Sequence, residues 1–190
     1  MEETIHEDKT FEKVNFTQKE LKIRSFDNCT FIQCDFSSST LNNNTFSECT
    51  FTGCNMALSR MQNTSLKDVS FKNCKLIGIN FYECADFLFN VNFNNCILDY
   101  TSFAGKKMIK TKFIGCTLKD ANFSNCDLSE AAFSNCNLEG TIFSNTQLRG
   151  TDFTTAVNYA IDLDINSVKK AKFSKHGQEG LLAKYDINIL

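Results

Sequence analysis

Ten cysteines and two histidines carry most of the reactive chemistry in this chain. Thiols can close disulfides, hold zinc or attack an electrophile, and each use demands its own spacing and neighbours. No C-x-x-C pair occurs, so the short ligand spacing of a zinc site is missing. His6 and His176 stand near opposite ends of the chain, away from the thiols, and leave no imidazole to activate a nucleophile. H-E-x-x-H, G-x-x-x-x-G-K-S/T and G-x-G-x-x-G are all absent. The expected catalytic, metal-binding and cofactor-binding sets are therefore empty, and the chemistry left is recognition by a surface.

The spacing of the thiols points instead to an architecture. Cys29, Cys34, Cys49, Cys54, Cys74 and Cys84 are separated by multiples of five, and so are Cys96, Cys116, Cys126 and Cys136. Each except Cys84, which precedes Asp86 at the extrapolated position, lies two residues before a large apolar residue. Those residues recur at every fifth position, fifteen times from Phe11 to Phe81 and thirteen times from Phe93 to Phe153. Helices want apolar spacings of three and four and strands want two, so neither accounts for a step of five. A chain that turns a corner every five residues sends each of these side chains inward, and four corners make a square coil of twenty residues. Fixed periods of this kind signal a solenoid. We call the apolar position the centre.

The other positions of the five agree. The site two before the centre holds Cys or mostly small and β-branched residues such as Ser39, Thr64, Val69 and Ala121, a second inward position. Two residues after the centre, Asn, Gly or Asp fills sixteen of twenty-eight sites, as expected where the backbone needs φ > 0. The expected core includes Phe31, Phe51, Phe71, Phe113, Phe133 and Phe153, with Cys34, Cys54 and Cys74 in one stack and Cys96, Cys116 and Cys136 in another. Parallel Cβ vectors suit a disulfide poorly, so these thiols are expected to be reduced and to serve as small hydrophobes. The two runs are out of phase by two residues, placing a register shift at about 82–92, where Phe87, Leu88, Phe89 and Val91 are expected to keep filling the interior.

Twenty-eight successive five-residue units resemble the pentapeptide-repeat proteins. The resemblance implies an all-β fold, a right-handed quadrilateral parallel β-helix of about seven coils over residues 9–156. Residues 1–8 would form an N-terminal cap segment, and 157–190 a C-terminal cap with a short helix over 178–185. Within that family the tail is similar to the Qnr, or quinolone-resistance, subgroup. Tyr159, Ile161-Asp162, Asn166, Lys170-Ala-Lys-Phe-Ser174, Gly180-Leu-Leu and Lys184-Tyr-Asp-Ile187 carry the likeness, as does Phe11-Glu-Lys-Val-Asn-Phe16 at the start. Leu163 departs from it by replacing the proline expected after Ile161-Asp162, and the projecting loops of some members are absent. The resemblance implies a homodimer through Phe173, Leu181, Leu182, Tyr185, Ile187 and Ile189. It also implies a DNA-mimicking rod that binds DNA gyrase or topoisomerase IV and protects it from quinolones.

Charge bears on that mimicry. Lys and Arg number 20 against 22 Asp and Glu, for a net charge of −2, which excludes a strongly basic nucleic-acid binder and predicts no direct contact with nucleic acid. Residues twenty apart should stack, pairing Lys107 with Asp127, Lys110 with Glu130 and Lys119 with both Asp99 and Glu139, while Lys112 lies two rungs from Asp152. Near the C-terminal end Asp120, Asp127, Glu130 and Asp152 form the candidate target-binding patch. A structural or scaffolding module with an unrelated partner is the alternative. The charged N-terminus offers no apolar leader and no long apolar run follows, so a cytoplasmic protein without membrane contact is expected.

Overall fold

The computed structural model describes residues 4–185 and 187. The backbone turns at every fifth residue because the residues two after a centre adopt a left-handed conformation from Asp8 (φ 54°) to Gly150 (φ 69°), Glu83 at the register shift excepted. Asn and Gly reach this region at little steric cost, which explains their frequency there. Four turns complete a coil, and the coils stack as a right-handed quadrilateral solenoid of about eight turns.

The first coils hold β1 (Thr4–Glu7), β2 (Thr10–Glu12), β3 (Arg24–Asp27), β4 (Thr30–Ile32), β5 (Thr45–Ser47), β6 (Thr50–Thr52), β7 (Ser65–Lys67) and β8 (Val69–Lys72). Then follow β9 (Val91–Asn94), β10 (Lys112–Ile114), β11 (Ala132–Ser134), β12 (Asp152–Phe153) and β13 (Lys172–Phe173). All pairings are parallel. One face is a four-stranded sheet in the order β1-β3-β5-β7, and its neighbour a nine-stranded sheet running from β2 to β13. Single bridges such as Asn15↔Asp35 and Glu20↔Thr40 join the rungs of the other two faces.

The interior is a set of side-chain columns. Nine phenyl rings, from Phe11 through Phe93 to Phe173, stack along the longer sheet with centroids 4.5–5.4 Å apart and nearly parallel. Adjacent columns meet edge to face, as Phe113 does with Phe123 at 5.7 Å, an arrangement favoured by the ring quadrupole. Phe31, Phe51, Phe71, Phe113, Phe133 and Phe153 are all buried.

The coil extends past both ends of the regular sequence pattern. At the N-terminal end β1 already pairs with β3, and His6 sits inside the ladder rather than outside the repeats, its ring stacked 4.9 Å from Phe26. At the other end the apolar step fails, yet Ala156, Tyr159 and Ile161 are buried and Phe173 stacks on Phe153. Inward packing thus adds about one turn to the seven that the uninterrupted period predicts. The chain then closes with a 3-10 turn, Lys175–Gly177, the helix α1 (Glu179–Leu182) and a second 3-10 turn, Ala183–Tyr185.

Candidate functional site

The second inward position shows why thiols recur. Cys54, Cys74 and Cys136 each donate to the carbonyl of the centre residue 23 positions earlier, at 3.4 Å. Thr146, Thr151 and Thr141 make the same bond with their hydroxyls at 2.7–2.9 Å. The site takes a small side chain, often one with a donor for that carbonyl, and Cys adds apolar bulk. Lys75 pairs with Ile97 across the register shift, so Cys74 and Cys96 align and the expected two stacks become one column: Cys34, Cys54, Cys74, Cys96, Cys116 and Cys136, all buried. Burial pushes the Cys49, Cys84 and Cys126 thiols up to about 12. At neutral pH such thiols are protonated and poor nucleophiles. Among the described residues no three His, Cys, Asp or Glu side chains are grouped to hold a metal ion.

The four acidic candidates occupy neighbouring rungs, but most are engaged locally. Asp127 accepts from the Ser129 amide at 3.0 Å and its hydroxyl at 2.6 Å, and forms no ion pair with Lys107 although their backbones bridge. Asp152 is held in the same way by Thr154, and its cation is Lys172 at 3.4 Å, one rung away, rather than Lys112. These hydrogen bonds, with Lys172, keep the Asp152 carboxyl below its usual range. Glu130 pairs with Lys110 at 3.6 Å, and Lys119 pairs with Glu139 at 3.0 Å while its backbone amide donates to Asp99. Asp120 rests its carboxylate against Gly140, where a Cβ would come within 2.3 Å of it. The cross-rung cations thus neutralise much of this face.

The C-terminal candidates divide between packing and exposure. Phe173 is half-buried on the ring column, and Leu181 packs on the same core. Leu182 is half-buried, while Tyr185 and Ile187 are exposed. Ile189 lies outside the described residues. Two close approaches fix α1: a Cβ at Gly180 would lie 1.9 Å from the Tyr159 carbonyl oxygen, and one at Gly177 would strike the Tyr159 hydroxyl. Lys184 reaches back to Asp162 at 2.6 Å and to Asp164, both of which raise its pKa.

The register shift is the site that the sequence reading missed. The extra residues do not all fold inward. Val91 is buried and Phe89 half-buried, but Phe87 is 74% and Leu88 60% exposed. The reason is in the backbone bonds. Ala85 donates to Thr64 O at 2.9 Å and Asn90 to Leu66 O at 3.0 Å, so the coil closes on both sides and the intervening residues must bulge. Lys106 stands at a second inward position, 2% exposed, and its ammonium donates to Cys84 O at 2.6 Å and to Asp86 on the bulge. It also lies 5.2 Å from the Phe89 ring. A lysine where neighbours are Cys and Thr was the available signal.

A family model for the pentapeptide repeat region matches residues 24–103 and 85–173. The chain belongs to the pentapeptide-repeat family. Among solved structures, it is similar to full-length QnrB1, a plasmid-mediated fluoroquinolone resistance protein, at 18% identity over 96% of this chain and 100% of that one, with a TM-score of 0.43. It is also similar to HetL of the cyanobacterium Nostoc sp. strain PCC 7120, a pentapeptide-repeat protein involved in heterocyst differentiation regulation. That likeness is at 13% identity over 89% of this chain and 86% of HetL, with a TM-score of 0.46. No curated protein matches the chain. No helix among the described residues is long and apolar enough to cross a membrane.

Proposed function

We propose that this pentapeptide-repeat rod is a non-catalytic binding protein whose target is a type II topoisomerase, DNA gyrase or topoisomerase IV, in the cytoplasm. The observation that carries this reading is the tail from Tyr159 to Ile187, whose residues resemble the Qnr subgroup. In this reading two copies join through Phe173, Leu181, Leu182, Tyr185, Ile187 and Ile189, and the rod occupies the DNA path of the enzyme and shields it from quinolones. Exposed Tyr185 and Ile187 suit such a contact. Adding the purified protein to a gyrase supercoiling assay with and without ciprofloxacin tests it. Altered supercoiling or fewer drug-stabilised breaks at micromolar protein are expected, and no change in either, with no binding, overturns it. Deleting residues 178–190 should yield a monomer by light scattering; a truncated chain that stays dimeric refutes the C-terminal interface.

A second reading rests on the ion pairs. A DNA mimic needs a continuous anionic stripe, whereas Lys110, Lys119 and Lys172 neutralise Glu130, Glu139 and Asp152. That pattern favours a scaffold for an unrelated protein partner, and salt-insensitive binding to a non-topoisomerase partner in pull-down would support it over mimicry.

A further inference from the structure

The column of Cys34, Cys54, Cys74, Cys96, Cys116 and Cys136 exceeds what packing asks of the second inward position. On the adjoining face that position changes type from rung to rung, through Ile79, Thr101, Ala121 and Thr141, all buried. A small volume and a bond to a carbonyl are thus met by several residue types and do not call for six thiols in succession.

The sulfurs also line up. Bridges from Asp35↔Asn55 through Lys75↔Ile97 to Thr117↔Asn137 hold the column in register across the shift. Cys34, Cys54, Cys74, Cys96 and Cys136 donate to the equivalent carbonyl of the preceding coil at 3.3–3.4 Å, so one side-chain pose repeats at successive rungs. Cys96 lies within hydrogen-bonding reach of the thiols on both sides of it, Cys74 and Cys116. Sulfurs repeated in one pose are separated by the rung spacing, about 4.8 Å. A cation midway between two of them has metal–sulfur distances of about 2.4 Å, close to the roughly 2.3 Å of a zinc–thiolate bond. Sulfurs above and below supply only two ligands, and among the described residues no third His, Cys, Asp or Glu is grouped with them to build the tetrahedron that zinc takes. A soft cation content with two sulfurs in a line fits, and thiolates select Cu(I).

We propose that successive thiols of this column bind Cu(I) linearly between rungs, one cation between Cys34 and Cys54, one between Cys74 and Cys96 and one between Cys116 and Cys136. Each cation sends one proton to solvent: one sulfur binds as the thiolate, its partner binds through a lone pair as a neutral thiol and keeps its hydrogen bond to the carbonyl, and copper stays Cu(I). The bound site then carries no net charge, as a dry interior demands. Cys29 and Cys49, aligned by Thr30↔Thr50, repeat the geometry for a fourth cation. Cys84 and Cys126 do not, because Lys106 occupies the rung between them. Entry is from the N-terminal end, where Val14 stacks on Cys34 and is only half-buried. The inference concerns the interior of the rod and is independent of any topoisomerase contact.

Anaerobic titration of the reduced full chain with Cu(I) supplied as its bicinchoninate complex tests it, read by the fall in that complex's absorbance. About four Cu(I) per chain are expected, with about one proton released per cation and a raised midpoint of thermal unfolding, because the folded chain supplies the sites. The variant Cys54→Thr, Cys96→Thr, Cys136→Thr keeps three thiols in the column but no adjacent pair, so uptake should fall to about one Cu(I), while Cys84→Thr with Cys126→Thr should keep about four. Unfolding midpoints of the copper-free variants show whether the coil is intact, and Cys34→Thr, Cys74→Thr, Cys116→Thr repeats the test with the complementary thiols. The inference is overturned by no uptake from the complex, by uptake that follows the number of thiols rather than their adjacency, or by displacement of the copper by an equal amount of Zn(II). A lowered unfolding midpoint would mark binding to the unfolded chain and equally overturn it.

Discussion

Lys106→Met is the most informative single change, because it sets two large opposing effects against each other. The ammonium is almost wholly buried and makes two charge-assisted contacts, to Cys84 O and Asp86. Such hydrogen bonds are worth about 1.5–3 kcal/mol each. Taking the charge out of water costs several kcal/mol, a cost of the same size. Methionine fills much of the stem's volume without the charge, and the Asp86 carboxylate, 88% exposed, keeps its own hydration when the lysine goes. The global stability of Lys106→Met should therefore stay within about 1 kcal/mol of the parent. Lys106→Ala behaves otherwise. It empties the space of three methylenes at about 0.8 kcal/mol each, and the remaining cavity brings the loss to about 3 kcal/mol.

Local stability should respond differently. With Asp86 released, the bulge opens more often, and the amides of Ala85 and Asn90, which donate to Thr64 O and Leu66 O, should lose exchange protection by about tenfold while those of the flanking coils hold theirs. Urea unfolding reads the global term and amide exchange by NMR the local one. A Lys106→Met loss above about 3 kcal/mol would refute the reasoning, because it would mean that the contacts far outweigh desolvation. Unchanged exchange at Ala85 and Asn90 would equally show that Lys106 does not hold the bulge.

Three further outcomes follow from the coil itself. Leu58 sits at φ 59° and is 61% exposed, so Leu58→Asn relieves strain and loses little burial; a gain of about 0.5–1 kcal/mol in urea unfolding is expected, and a loss contradicts the strain argument. Cys74→Thr should be tolerated within about 1 kcal/mol because Thr146 and Thr151 already make the equivalent bond, whereas Cys74→Leu overpacks the column by about 1–3 kcal/mol; equal effects would show that the site does not discriminate by size. The Asp152 carboxyl is depressed chiefly by the Thr154 hydroxyl, so its contribution is present above the unfolded value of 3.8 and fades as pH falls through the lower folded one. Asp152→Ala should cost about 1 kcal/mol at pH 7, and a gap from the parent that does not narrow below pH 3.8 would reject that linkage.

The fold was legible because a single residue position serves a single physical role in every unit. Centres point inward, the residue two before them is small and buried, and the residue two after them nearly always turns left-handed, so composition at each position reports geometry directly. Where one role passes to another residue the reading fails. His6 fills a centre without being aliphatic or phenyl, and an imidazole face stacks on Phe26 well enough to start the ladder one side of the coil early. Beyond Phe153 the buried aromatic is Tyr159, one position after the place that the period specifies, so the last turn is hidden from a fixed step. The misreading at 85–90 has the deepest cause. Apolar residues are assigned to the interior because burial normally decides their position, and Phe87 and Leu88 carry no mark in their own types that says otherwise. What expels them is the backbone, which must satisfy Thr64 O and Leu66 O on both sides of an insertion and has no inward room left for two more side chains. Hydrogen bonding of the chain outranks burial of two residues there, and Lys106, the one buried lysine, arginine or carboxylate among the described residues, answers that choice by holding Asp86 on the bulge.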